Sequence, residues 1–279
     1  MQNAGIAALG LNWRYLAFEV RPDQLQQAIT GAKAMKFIGL NLTVPHKLLA
    51  VDMVDVLDAS ARQWGAVNTI RFEARDEAGT WQPLRVFTEC PSEIRSHGFN
   101  TDADAIVQAL RQDLGVELAG AKVLLLGAGG AGRTAALRIA AEKVKELFLI
   151  NRTSAKAQAL AEEIQKQWPA VKVSLRYPSE RIDLLLNATS LGLKEGDASP
   201  IDQARFPLNL ASAVYDMIYR PAETLLIKRA KESGCRAANG LSMLLYQGAK
   251  ALEIWTGQIA PVDVMRQALR ENVYGAFCK

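Results

Sequence analysis

The spacing of apolar residues changes character partway along the chain. From residue 122 onward, short runs that are apolar at nearly every position alternate with helical patterns. The runs lie at 122–129 (KVLLLGAG), 147–153 (LFLINRT), 171–177, 183–189, 213–219 and 235–240, with helices at 133–142 and 155–167. Runs of this kind, separated by helices, mark parallel strands buried on both faces. Before residue 122 the pattern is more mixed. A helix near 2–10 closes at Gly10, and 13–20 (WRYLAFEV) reads as a strand. The pattern at 23–30 predicts a helix that stops at Gly31, and KFIGLNLTV (36–44) a strand running into Pro45. A helix over 47–61 and a strand over 66–73 follow. The stretch 74–97 is irregular, broken by Gly79, Pro83 and Pro91. Thr101 or Asp102 then opens a helix through Leu114, since either side chain accepts a first-turn N–H. Helices at 241–252 and 262–269 end the pattern and are expected to pack back on the first domain.

Within this frame the glycine run Gly127-Ala128-Gly129-Gly130-Ala131-Gly132 closes a predicted strand and opens a predicted helix. That is the context a dinucleotide-binding turn requires. Glycines allow the sharp bend and the close approach of a pyrophosphate, and the helix N-terminus presents N–H donors to it. An NAD site usually places Asp or Glu at the end of the second strand, to hold the ribose 2′-hydroxyl. Here that strand ends Asn151-Arg152-Thr153, with Lys156 soon after. A guanidinium stacks on adenine or pairs bidentately with a 2′-phosphate, so NADP is expected over NAD. The plainer reading of Arg152 is a solvated residue at a strand end.

The run Asn41-Leu42-Thr43-Val44-Pro45-His46-Lys47 sets two polar side chains on one face of an otherwise apolar strand. Buried polar groups need partners. Taken alone, Lys47 reads as a surface lysine, His46 as structural, and Asp102 as a helix cap. The segments Gly65-Ala66-Val67-Asn68-Thr69 and Gly98-Phe99-Asn100-Thr101-Asp102 follow in order, ahead of the glycine run.

Together these segments closely resemble the shikimate dehydrogenase family. The match continues through Asn151-Arg152-Thr153, Asn187-Ala188-Thr189-Ser190-Leu191-Gly192, Tyr215-Asp216-Met217-Ile218-Tyr219-Arg220-Pro221 and Gly240 to Gln247, and covers nearly the whole chain. The resemblance implies an α/β fold of two domains, with an N-terminal α/β substrate domain and a Rossmann-type NADP domain. The substrate domain would span 1–104 and be completed by 240–279; the NADP domain would span 105–239. It further implies that Lys47 and Asp102 are the catalytic pair and that Thr43, Asn68 and Gln247 hold the hydroxyls of the substrate. Tyr219 would lie near its carboxylate. The glycine loop, Asn151, Arg152, Thr153, Lys156 and Thr189 would serve the cofactor, with Met217 and Gly240 beside the nicotinamide. The implied reaction is NADPH-dependent reduction of 3-dehydroshikimate to shikimate, in aromatic amino-acid biosynthesis. A quinate or aminoshikimate relative, or a non-catalytic NADP-binding homologue, is the alternative.

Two departures stand out. The family usually begins with a strand and a Ser-x-Ser-Pro segment whose hydroxyls bind the substrate carboxylate. Met1-Gln2-Asn3 resembles the helix just after it, so a start upstream of Met1 is expected, the alternative being a chain that is truly short. The interval between Asn68 and Asp102 is also longer than usual, which predicts an extended loop or hairpin around 75–95.

Composition adds mainly exclusions. A length of 279 residues suits two domains. A net charge of +4 without a lysine or arginine run gives no basis for a nucleic-acid partner. No run approaches a membrane span of about 20 apolar residues. Two histidines and three scattered cysteines, Cys90, Cys235 and Cys278, suggest no metal site and no disulfide framework. The expectation is a cytoplasmic enzyme with reduced thiols, acting on a small molecule as a monomer or homodimer.

Overall fold

The computed structural model describes residues 1–89, 91–194 and 196–275. Cys90 and Cys278, expected as free thiols, lie outside the described residues. Cys235 is a buried free thiol whose Sγ donates to the Leu208 carbonyl at 3.1 Å. The chain forms two compact units. One runs from Met1 to Asp102 and is taken up again at Leu245; the other is the continuous stretch Ala103–Leu244.

The first unit opens with α1 (Gln2–Ala8), α2 (Leu25–Ala34), β1 (Gly39–Asn41), α3 (His46–Leu49), β2 (Val56–Leu57) and α4 (Ala59–Trp64). β3 (Thr69–Arg75), β4 (Trp81–Pro83) and β5 (Ile94–Phe99) follow, and α5 (Asp102–Leu114) leads out. The sheet order is β1-β3-β5-β2, with β4 also on β3. β3 is antiparallel to β1, β4 and β5, while β2 and β5 are parallel. Period-two alternation sorts the faces of β3. Ile70, Phe72 and Ala74 join Leu25, Ile29 and Ala32 of α2 in an apolar core. Thr69, Arg71, Glu73 and Arg75 occupy the opposite face.

Four sequence expectations change here. The helix over 47–61 is interrupted. Val56 and Leu57 pair with His97 and Gly98, and Asp58, in an extended conformation, accepts from Ser60 N at 2.9 Å to cap a fresh helix, α4. Sheet pairing and a new cap override the apolar periodicity. The strand over 13–20 is not hydrogen-bonded into the sheet. Trp13 and Tyr15 turn inward between exposed neighbours, but the backbone of Tyr15 is held by the Asn3 side chain, at 2.7 and 2.9 Å, rather than by a ladder. The helix stop at Gly31 is passed, α2 running to Ala34, and the strand over 36–44 shortens to Gly39–Asn41. The irregular stretch contains a hairpin. The Asp76 carboxylate accepts from Ala78 N and Thr80 N at the turn, and the guanidinium groups of Arg75 and Arg95 stand over the ring of Trp81 on β4, at 4.9 and 4.2 Å.

The second unit contains β6 (Lys122–Leu126), α6 (Gly130–Ala141), β7 (Glu146–Ile150), α7 (Ser154–Gln167), β8 (Lys172–Ser174) and β9 (Ile182–Asn187). β10 (Ala211–Asp216), α8 (Leu225–Glu232) and β11 (Arg236–Asn239) complete it. Its sheet is wholly parallel, in the order β8-β7-β6-β9-β10-β11. The winding direction reverses between β6 and β9, and loops at such a reversal diverge to leave room for a ligand at the carboxyl ends of the strands. Leu124, Leu126, Phe148, Leu185 and Val214 form part of its core, as their unbroken apolar runs require.

α9 (Leu241–Thr256) begins in the second unit and continues into the first, where α10 (Val262–Tyr274) packs beside α1. Trp255 Nε1 donates to Ile70 O at 2.9 Å, lying so close over Gly39 that a Cβ there would come within 2.1 Å of it. No helix among the described residues is long and apolar enough to cross a membrane.

Glu73 concentrates charge on the polar face of the first sheet. Its side chain is only 2% exposed and meets Arg71, Arg95 and His97. Burial alone would raise its pKa, but hydrogen bonds from His97, Arg71 and Arg95 outweigh this and hold it at about 2, against an ordinary 4.5. The folded value lies below the unfolded one. The stabilisation, about 3 kcal/mol, is therefore complete above pH ~4.5 and fades as pH falls toward ~2. We expect Glu73→Gln to lower stability by about 2–3 kcal/mol at pH 7, where it leaves two guanidinium groups without their carboxylate. The difference from the parent should shrink as pH drops through 4 toward 2. Urea denaturation of both proteins at pH 7, 4 and 2.5 checks this; a gap independent of pH would show that Glu73 does not carry the effect.

Candidate functional site

In the first unit the site grows from the loop between α4 and β3. Asn68 is 1% exposed, so each end of its amide needs a partner. Its Oδ1 accepts from Thr101 N at 2.8 Å, and its Nδ2 donates to Thr101 Oγ1 at 2.9 Å and to Gln247 Oε1 at 3.5 Å. Thr101 Oγ1 in turn donates to Gln247 O at 3.0 Å, joining α9 to the start of α5. Asn68 O accepts from Leu42 N at 2.8 Å and from Asn41 Nδ2 at 3.2 Å. This aligns the 41–47 segment with the same loop.

Beyond Pro45 the chain enters α3, and the Lys47 carbonyl accepts from Val67 N at 2.8 Å. The Lys47 ammonium meets the Asp102 carboxylate, Nζ to Oδ2, at 2.8 Å. The lysine side chain is 28% exposed and the aspartate 10%, so the pair is largely shielded while its ammonium can still be reached. Asp102 is the first residue of α5, where a carboxylate also suits the helix dipole. The structure thus brings together Lys47, Asp102, Asn68 and Gln247 of the expected residues. Thr43, in the loop between β1 and α3, is exposed. Tyr219 belongs to the second unit, 36% exposed, on the loop after β10.

The second unit gathers the remaining expected residues at the carboxyl ends of its strands. Gly127 follows β6 with φ +103°, a conformation that favours glycine, and its N–H donates to Ile150 O at 2.8 Å. A Cβ on Gly132 would lie 2.2 Å from Gly127 O, so the turn closes only with glycine there. Gly129 and Gly130 have open space where a Cβ would project, and no side-chain hydrogen bond caps the N-terminus of α6. The first-turn amides of α6 therefore face an open cradle suited to a pyrophosphate. Asn151 fixes the loop on one side, accepting from Ala128 N at 3.0 Å and donating to Thr153 O at 2.8 Å. Arg152, Thr153 and Lys156 are exposed beside it, and Arg152 and Lys156 make no salt bridge among the described residues. On the other side Thr189 donates from N and Oγ1 to Asn187 Oδ1, at 3.0 and 2.7 Å. Gly240 follows β11, and a Cβ there would lie 2.1 Å from Met217 O. These residues fit a dinucleotide.

Several supports were not singled out from the sequence. Asp216, fully buried, accepts from Asn187 Nδ2 at 2.9 Å, Ile218 N at 3.1 Å and Thr224 Oγ1 at 2.6 Å. It ties the loop carrying Thr189 to the loop carrying Met217. Burial raises its pKa, and the bonds from Thr224, Ile218 and Asn187 only partly offset that. Tyr15 donates to Asn41 Oδ1 at 3.0 Å and steadies the strand before Thr43. A polar residue at the end of an apolar strand, as at 187 and 216, is the signal available in sequence. Among the described residues no cluster of His, Cys, Asp and Glu is arranged to hold a metal ion.

Three family models match the chain. The shikimate dehydrogenase substrate binding domain matches residues 1–70, shikimate / quinate 5-dehydrogenase matches 108–191, and the shikimate 5′-dehydrogenase C-terminal domain matches 240–270. The NADP(+) shikimate dehydrogenase of Methanopyrus kandleri is 36% identical over 280 residues, spanning 98% of this chain and 90% of that one. The Thermus thermophilus shikimate 5-dehydrogenase, solved with NADP(H) and shikimate, superposes with a TM-score of 0.78 at 33% identity, over 96% of this chain and 92% of that one. A ligand-free 5-ketofructose reductase of Gluconobacter sp. gives 0.78 at 32% identity, over 98% and 92%.

The glycine geometry separates folding from binding. Gly129→Ala should leave the melting temperature of the free protein nearly unchanged, because its φ of −78° suits any residue and the methyl meets nothing. NADP affinity should fall by about 10-fold or more, as the methyl occupies the approach to the α6 amides. Gly132→Ala should lower both stability and affinity. Calorimetric melting and fluorescence titration check this; parental NADP affinity in Gly129→Ala would rule out pyrophosphate binding at that turn.

Proposed function

The chain belongs to the shikimate dehydrogenase family, and we infer that it catalyses the reversible NADPH-dependent reduction of 3-dehydroshikimate to shikimate, a step in aromatic amino-acid biosynthesis. The observation that carries the mechanism is the Lys47–Asp102 pair at 2.8 Å, set beside the bonded amide of Asn68. Reducing a ketone requires a hydride at carbon and a proton at oxygen. The bound NADPH supplies the hydride. Lys47 gives its proton to the developing alkoxide, and in the reverse direction takes it back. Asp102 aims the ammonium and balances its charge, so the proton leaves a group already oriented for transfer.

In this reading Asn68, Gln247 and Thr43 bond the substrate hydroxyls, and Tyr219 serves the carboxylate. The open cradle at Gly129 and Gly130 takes the pyrophosphate, and Arg152, Thr153 and Lys156 take the 2′-phosphate. Met217 and Gly240 line the nicotinamide position. The partners are small molecules, and we propose that the enzyme acts in the cytoplasm as a monomer or homodimer. Oxidation of shikimate with NADP, set beside quinate and against reduction of 5-ketofructose with NADPH, tests the assignment. The highest kcat/KM should belong to shikimate; a faster reaction with either other compound would reassign the substrate.

Two variants test the roles. Lys47→Ala should lower kcat by about 10²-fold or more with little change in NADP binding, and Asp102→Ala should behave similarly. Near-parental turnover in Lys47→Ala would remove it as the proton donor. Arg152→Asp should reverse or abolish the preference for NADP over NAD, because a carboxylate repels the 2′-phosphate and accepts from a 2′-hydroxyl. Steady-state kinetics with both cofactors give the ratio. Equal kcat/KM for the two in the parent would exclude a 2′-phosphate site.

A further inference from the structure

We propose that Asn100 is a positioning residue for the Lys47–Asp102 pair, and that Ser60 holds Asn100 in place. The proposal rests on the reading of that pair as the proton-handling groups. Lys47 and Asp102 reach each other from separate elements, α3 and the first residue of α5, 55 positions apart. α3 is only four residues long, and Leu48 and Leu49 on it are exposed, so its own packing does little to fix where the lysine begins. Some other contact must set the two backbones against one another.

The side chain of Asn100 makes that contact. It is 4% exposed and bonded at both ends. Its Oδ1 accepts from Asp102 N at 3.1 Å, satisfying a first-turn amide of α5. Its Nδ2 donates to Ala66 O at 3.1 Å. The next residue, Val67, donates from its N–H to Lys47 O at 2.8 Å. One amide group thus joins the backbone carrying the aspartate to the two-residue stretch that carries the lysine. The backbone of Asn100 is fixed in turn, its N–H donating to Ser60 Oγ at 3.1 Å. That hydroxyl donates to Asp58 Oδ1 at 2.6 Å, a charge-assisted bond that orients its lone pairs toward Asn100. Ser60 and Asp58 lie at the start of α4, so the N-termini of two helices are referenced to one another through Asn100.

Asparagine is required because one end must accept and the other must donate. Aspartate keeps the acceptor for Asp102 N and is a good helix cap, but it sets a carboxylate oxygen against the Ala66 carbonyl. This separates positioning from capping. In Asn100→Asp, the melting temperature should fall, because a buried hydrogen bond becomes an oxygen–oxygen contact, while the NADPH affinity of the folded protein stays near parental. kcat should fall by about 10-fold or more, since small misplacements of reacting groups are costly, and the pH profile of kcat should shift. Ser60→Ala should lower kcat by about 3-fold through loss of one hydrogen bond, and Ser60→Thr should restore it. Parental kcat and pH profile in Asn100→Asp would overturn the proposal. So would a loss in Ser60→Ala that Ser60→Thr fails to rescue. Crystal structures give a readout independent of substrate identity. The Lys47–Asp102 distance of 2.8 Å should lengthen past hydrogen-bonding range in Asn100→Asp and by a smaller, measurable amount in Ser60→Ala, which serves as the readout should the first variant not fold. An unchanged distance would refute positioning even if shikimate proved not to be the substrate.

Discussion

A buried amide must be bonded at both ends, and at Asn68 that requirement organises the first unit. The loop before β3 cannot close without the N–H and hydroxyl of Thr101, and Thr101 cannot sit there without the α9 backbone at Gln247. Three stretches distant in sequence are committed to one place by the cost of leaving a polar group dry. Lys47 and Asp102 flank this junction, the lysine through Val67 and the aspartate through its neighbour Thr101. Their ion pair is therefore a product of the junction. A charge pair this shielded would be a poor source of stability by itself. Its geometry is held instead by the hydrogen bonds around it.

The second unit achieves fixed geometry by steric means. Its central strands β6, β7 and β9 are mostly apolar, and its loops are set by glycines whose missing Cβ atoms leave room for a neighbouring carbonyl, as at Gly132 and Gly240. Asp216, deep inside it, is surrounded by three donors and links two loops at the strand ends. One unit is thus specified mainly by polar matching, the other mainly by close packing.

That difference governs what sequence alone reveals. The parallel strands of the second unit and its glycine turn were legible, because continuous apolar runs and a glycine-rich strand-to-helix turn carry their structural meaning locally. The first unit was less so. The apolar spacing over 47–61 suggested one helix, but Val56 and Leu57 are drawn into a parallel pair with β5 and Asp58 starts afresh. Nothing within that window announces a partner 41 residues away. The alternation over 13–20 was real as a pattern of facing, yet a strand exists only where a neighbour bonds it. Lys47, Asp102, Asn68 and Gln247 could be named from their motifs, while the 2.8 Å between the charged groups belongs to the fold. Asn100 stood within a recognisable segment but drew no role, since its side-chain bonds to Asp102 N and Ala66 O are to backbone atoms, which leave no trace in side-chain identity.

The discontinuity of the first unit bears on the order in which the protein is made. Ala103–Leu244 is one unbroken stretch with its complete parallel sheet, and it can begin to fold while synthesis continues. Met1–Asp102 leaves the ribosome earlier, but its partners at Gln247, Gly248 and Trp255 are translated well over a hundred residues later. During elongation the amide of Asn68 and the carbonyl of Ile70 lack these partners. The nascent chain can therefore acquire its wholly parallel sheet before Lys47 and Asp102 have their final surroundings, and the discontinuous unit cannot be completed until the continuous one has been made.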